Sequence, residues 1–428
     1  MGFPNLLPVH QNLPSHALKD VAGETRRQLA QAGFAARVSP GARIAIGVGS
    51  RGISNIAGIV RAVVEYWREA GCNPFIFPAM GSHGAATAEG QALVLEHYGI
   101  TESSMGCPLI SSIEVVSLGR TDDGIEAFMD RNAWSSDAVM LVGRIKPHTD
   151  FAGKLESGLC KMTAIGIGKF AGARQYHTFA YTLGMEHVIR TVSRLVLKSG
   201  KILGGLAILE DGYHQTANLE AVPADNMESR EEALLAQVKE WTPRIPIPHL
   251  DLLVVNEIGK NFSGTGMDAK VINRGIEGDL NCWPDEKTRI ARIFVRDLSD
   301  LSYGNGVGIG MADVIHDRIL AKIDWNATWI NSLTASTPGG SRTPMHFAAD
   351  RECMERIAPT AGKLDSSTIT IGWIQNTLEL SDVLLSENLR EEIVENPTLE
   401  IVGPPRPVDF DAAGNLTGSP LPAVPAEI

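Results

Sequence analysis

The stretch that decides the fold is Arg43–Val48, RIAIGV, followed by the loop GSRGISN (49–55) and by IAGIVRAVVEYWREA (Ile56–Ala70). A short apolar run bounded by glycine reads as a buried strand, and the apolar spacing of the next segment reads as a helix. The same grammar returns at once. Asn73–Pro78, NPFIFP, is a second strand, GSHGAAT (81–87) a second loop, and Ala88–Tyr98 a second helix with Thr87 and Glu89 near its start. Farther on, the apolar run Ala138–Val142 leads into GRIKPHTDFAGKLESGLCK (143–161), the helix Met185–Leu197 follows, and Gly205–Leu209 supplies a fourth strand. Strands alternating with helices specify an α/β fold with mostly parallel sheets, whose ligands sit in loops at the carboxyl ends of strands.

A chain of 428 residues exceeds one ordinary hydrophobic core, so two domains are expected. WTPRIPIPHLD (Trp241–Asp251), with three prolines after a charged helix around Glu228–Glu240, is the linker. It divides an N-terminal α/β domain, 1–245, from a C-terminal α/β domain, 246–428, which closes an interdomain active-site cleft. In the second domain Leu252–Val255 and Ile293–Val295 read as strands, GKNFSGTGMDAK (259–270) as a loop, and GNGVGIGMADVIHDRI (304–319) as a glycine-rich loop turning into a helix. The Pro- and Ala-rich end from Val402 is expected over the surface or swapped between domains.

Hydrophobic residues make up 44% of the chain, charged residues 21%, and the net charge is −12, a globular composition that argues against general nucleic-acid or anionic-membrane binding. Five scattered cysteines without a CxxC pair fit neither a disulfide framework nor a structural zinc site. A cytoplasmic protein is expected, with no secretory leader, no membrane span, and room for a homo-oligomer.

The loops at the strand ends hold groups suited to catalysis: Arg51 in GSRG, His83 in GSHG, and Lys146 with His148 in KPHTD. Two histidines in neighbouring strand-end loops can exchange protons with one substrate near neutral pH, although a single loop histidine is more often an ordinary surface residue. In ESGLCKMTAIGIGK (156–169), Lys161 and Lys169 bracket an apolar stretch that would depress a lysine pKa; two solvated lysines are the plainer alternative. Cys160 reads as a buried, inert thiol or a nucleophile, and His177 as a metal ligand or a packing residue. Lys260, Lys270 and Arg274 are cations that could meet a carboxylate. GNGVGIG departs from the phosphate-binding pattern GxxxxGK[ST]. Trp373 lines the cleft or fills the core.

The ordered set GSRG, PAMGSHG, KPHTDFAGKLESGLCKM and ARQYH resembles the motifs of the lactate racemase family, with weaker similarity from Asn256 to Asp268. The resemblance implies two α/β domains and a nickel-pincer nucleotide attached covalently to a lysine. It implies that His83 and His148 are the paired acid/base histidines, Lys161 the attachment lysine, His177 the nickel ligand, Arg51 a group near cofactor and substrate, and Lys260 a substrate contact. The activity it implies is racemisation or epimerisation of a small 2-hydroxy acid. The chain departs from the family in its first loop, where Val48-Gly49-Ser50-Arg51-Gly52 replaces Asp-x-Thr-Arg-Pro, and in a longer loop before Lys161, which leaves Lys154 and Lys169 open as attachment sites. A binding protein that has lost the cofactor is the alternative, and a zinc hydrolase built on His83, His148 and His177 is a third reading.

Overall fold

Five strands, Asn73–Pro78, Arg43–Val48, Ala138–Arg144, Ile202–Glu210 and Thr216–Pro223, lie in that order in one sheet of the computed structural model, which describes residues 2–49 and 52–417. The first four run parallel and the last is antiparallel. Alternate residues of each central strand enter different cores. Ala45, Phe77, Val139 and Leu141 face one, while Ile44, Ile46, Met140 and Val142 face the other. Burial on both faces explains why these strands read as unbroken apolar runs. Helix Ile56–Glu69 covers one face through Ile59, Val60, Val63 and Trp67. Helix Met185–Leu197 covers the other through Val188, Ile189, Val192 and Val196. A hairpin, Val115–Arg120 with Glu126–Asp130, completes this part of the chain.

The second sheet has eight strands in the order Met345–Phe347, Val314–His316, Arg289–Leu298, His249–Ile258, Ile371–Ile374, Asp382–Ser386, Leu6–Gln11 and Leu399–Ile401. Its first five strands are parallel and its last three antiparallel. The fold is therefore α/β with mixed, mostly parallel sheets.

The described residues form two compact units, those from 14 to 242 in one and 2–13 together with 243–417 in the other. The division falls within the proline-rich segment. Residues 1–13, which the sequence reading put in the N-terminal domain, instead supply a strand of the eight-stranded sheet, pairing Leu7 with Leu385 and Val9 with Ile401. The glycine-rich 304–312 segment leads not into a helix, as expected, but into the strand Val314–His316, with helix Arg318–Lys322 only after it. The end of the described chain packs within its own unit: Leu416 is buried and its N–H donates to Asp350. No helix among the described residues is long and apolar enough to cross a membrane. All five cysteines are free thiols, and only Cys282 is exposed.

Candidate functional site

The chain passes from Arg43–Val48 to Asn73–Pro78 on one side, and the later strand Ala138–Arg144 pairs on the other side of Arg43–Val48. The carboxyl ends of these strands thus flank a topological switch point, where open α/β sheets bind ligands. The loops leaving those ends carry the candidates. Arg51 belongs to the first of them but lies outside the described residues. The end of that loop is held by Glu210, whose carboxylate accepts the Ser54 N–H at 2.8 Å and pairs with Arg144 at the adjoining strand ends.

The loop after Ala138–Arg144 folds back through mutual backbone hydrogen bonds between Lys146 and Ser157. Glu156, 0% exposed, organises it. Its carboxylate accepts the His148 N–H at 2.6 Å and the Gly153 N–H at 3.2 Å, and pairs with Lys239 at 2.6 Å. Glu186 braces the same loop through the N–H groups of Lys154 and Leu155, both at 3.3 Å. His148 is half-buried, its ring 4.3 Å from that of Phe151, and its Nδ1 accepts the Asp150 N–H at 3.1 Å. The Lys161 ammonium lies over the same Phe151 ring, 5.9 Å from its centroid.

Lys161 ends the short helical turn Leu159–Lys161, which passes into a π-helical segment, Met162–Gly166, and then into helix Lys169–Leu183. Such widened turns recur at functional sites. The Met162 side chain turns over Gly143, where a methyl group would collide with its sulfur. Burial and the nearby Lys161 charge push the His177 pKa down to about 4. His177 is consequently a neutral imidazole at neutral pH, able to offer a lone pair to a metal, while Lys161 supplies an amine beside it. The backbone of this turn hangs from Glu231, whose carboxylate accepts the Cys160 N–H at 2.8 Å and whose pKa burial pushes up to about 7. Cys160 is fully buried and its thiol pKa is raised by desolvation, which gives it the inert role.

His83 follows the next strand over and is half-buried. Directly after it Gly84, Ala85 and Ala86 have φ of 60°, 54° and 57°, a left-handed turn that costs about 1–2 kcal/mol for each alanine. The loop packs on the segment joining Lys161 to His177. A Cβ on Gly81 would stand 2.9 Å from Ala173 Cβ, and one on Gly166 2.8 Å from Ala79 O. Lys169 is 0% exposed, donates to Pro78 O at 2.8 Å and Gln91 Oε1 at 2.5 Å, and pairs with Asp130 at 3.8 Å. Its ammonium is enclosed and committed, whereas Lys154 is exposed.

The structure therefore brings together His148, Phe151, Lys161 and His177, with the His83 loop against the same segment. Lys260 belongs to the other unit, where it donates to Gly264 O at 2.6 Å. Arg274 is buried in an internal pair with Asp313 at 2.7 Å, and Lys270 lies over Trp283 at 5.7 Å. Trp373 fills the core and donates to Asn256 Oδ1 at 2.7 Å. Among the described residues no three His, Cys, Asp or Glu side chains form a metal-holding cluster, so the histidines do not assemble the zinc site of the third reading. Sequence reasoning missed the roles of Glu156, Glu210, Glu231, Gln91 and Asp130, because nothing in a local motif marks which backbone groups a buried polar side chain will hold.

No protein-family model matches the chain, and no curated protein sequence does. Among solved structures the chain is similar to the lactate racemase apoprotein from Thermoanaerobacterium thermosaccharolyticum, with a TM-score of 0.50 and 14% identity over 87% of this chain and 98% of that one. At that identity the likeness is one of architecture: the chain has a lactate racemase-like α/β fold.

Proposed function

We propose that this protein is an isomerase, a racemase or epimerase of a small 2-hydroxy acid, working with a nickel-pincer nucleotide held on Lys161 and His177. The observation that carries the reading is that the Lys161 charge, just before the π-helical turn Met162–Gly166, bears on a neutral His177 in the helix Lys169–Leu183 that follows. The donor set suits the group: a half-buried amine for attachment, an unprotonated imidazole for nickel, and Phe151 as an apolar wall beside both the amine and His148. When bound, the nucleotide supplies a reversible hydride acceptor.

The protein's own residues handle the proton and the orientation. His83 and His148 serve as the acid/base pair toward the substrate hydroxyl. The Asp150 N–H at His148 Nδ1 puts the proton of the neutral ring on Nε2, ready to hydrogen-bond to the hydroxyl oxygen. Taking a proton at Nε2 requires that this local hydrogen bond open and Nδ1 carry the ring proton. Arg51 keeps, from the resemblance, the role of a group near cofactor and substrate, and Lys260 that of a substrate contact.

The test is intact-mass, peptide-mapping and metal analysis of protein made in cells that synthesise the nucleotide, followed by chiral assay of 2-hydroxy acids. Added mass on Lys161, bound nickel and loss of optical purity are expected. Unmodified, nickel-free protein from a host that loads a related racemase would overturn the reading in favour of a binding protein.

A further inference from the structure

Lys169 is a charged residue placed where few lysines survive: fully enclosed, at the first position of the helix that bears His177, with a φ of 55° that a lysine adopts only under constraint. Its contacts reach backward along the chain. The ammonium holds Pro78 O, the last residue of the strand leading to His83, and Gln91 Oε1. Gln91, itself 0% exposed, then donates through Nε2 to Met80 O at 3.2 Å and Gly81 O at 3.0 Å. Lysine and glutamine together bind three carbonyls of the four residues Pro78–Gly81. Asp130, the third member, accepts the N–H groups of Asn132 and Ala133 through Oδ1, and its own N–H donates to Ile167 O at 2.7 Å. One cluster thus ties the His83 loop, the turn after Lys161 and the start of the His177 helix.

The loop needs such a hold. The left-handed turn at Gly84–Ala86 is unfavourable by itself and is secured on its far side by Thr87, which donates to Gly84 O and accepts the Gly90 N–H, both at 3.0 Å. On its near side the Pro78, Met80 and Gly81 carbonyls are bound by Lys169 and Gln91. An apolar residue at 169 would fill the space but leave those carbonyls and the Gln91 amide without a common partner.

We infer that Lys169, acting through Gln91, is the positioning residue that fixes His83 against the Lys161–His177 segment. Its effect on turnover rests on the reading of His83 given above; its effect on the loop does not.

Hydrogen exchange by mass spectrometry on the unloaded protein tests the inference in Lys169→Met, in Lys169→Met/Asp130→Asn, which removes the buried charge as a pair, and in Gln91→Met. Leu29→Ala, a core truncation in helix Val21–Ala32, is the stability control. Exchange in the 79–87 peptide is expected to rise about tenfold or more in all three variants and not in the control, with the 138–144 strand unchanged. In the loaded enzyme the expected result is a fall in kcat of about tenfold or more, KM within about twofold, and undiminished mass on Lys161. An unaltered 79–87 peptide or a rise shared by Leu29→Ala would overturn it; raised exchange with unchanged kcat in a loaded, active enzyme would overturn the reading of His83 instead. A wild-type protein that racemises nothing while the exchange result holds would sink the proposed function and leave the loop assignment standing.

Discussion

The backbone N–H of Asp150 donates to Nδ1 of His148 at 3.1 Å, two residues back along the chain. This small turn selects a tautomer. The ring also lies tilted against Phe151, and the backbone N–H of His148 donates to Glu156, so His148 is oriented through backbone, ring and carboxylate together.

Nitrogen-15 NMR of the unloaded protein is expected to show neutral His148 with Nδ1 unprotonated and Nε2 carrying hydrogen. Protonated Nδ1 in the neutral ring would contradict the tautomer assigned to His148. In the loaded enzyme His148→Ala and His83→Ala should each lower kcat/KM by about 10²–10⁴-fold, equally for the two enantiomers, because their equilibrium constant is unity.

Glu156→Ala removes the acceptor of two loop N–H groups and the partner of Lys239. We expect a loss of about 2–4 kcal/mol in urea unfolding together with reduced turnover. A loss below about 0.5 kcal/mol would show that the loop does not depend on this carboxylate.

Glu231 titrates in the folded protein at about 7, against 4.5 ordinarily, because burial penalises its charge. Between those values the native state holds a proton that the unfolded chain has released, so stability falls as pH rises through that window. Glu231→Gln should flatten the decline and raise stability above pH 7 by about 1–3 kcal/mol, less whatever the amide loses in fit. An unchanged pH profile of denaturant midpoints would contradict the assignment.

Gly143→Ala places a methyl group against the Met162 sulfur. Overpacking of this kind costs about 1–3 kcal/mol and should displace the turn that bears Lys161, lowering covalent loading as well as Tm. Met162→Ala in the same chain should restore loading; failure to do so would mean that Gly143 matters for another reason.

Local sequence determined the elements whose surroundings are uniform. Arg43–Val48, Asn73–Pro78 and Met185–Leu197 fall where their apolar patterns place them, because a strand buried on both faces and a helix buried on one leave periodicities that hold in any comparable core. Motif order singled out His83, His148, Lys161 and His177 as candidates, and the fold sets His148, Lys161 and His177 around Phe151 and the turn after Lys161. Tertiary structure decided what depends on a distant partner. LLPVHQ at the amino end has the same strand propensity wherever it pairs, and only hydrogen bonding to Asp382–Ser386 and Leu399–Ile401 assigns it to the far unit. Lys161 and Lys169 look alike in ESGLCKMTAIGIGK; Asp130, Gln91 and Pro78 O enclose the second, while the first keeps an amine beside His177. A lysine's role is set by the charges and carbonyls around its ammonium, and these come from strands and helices far along the chain.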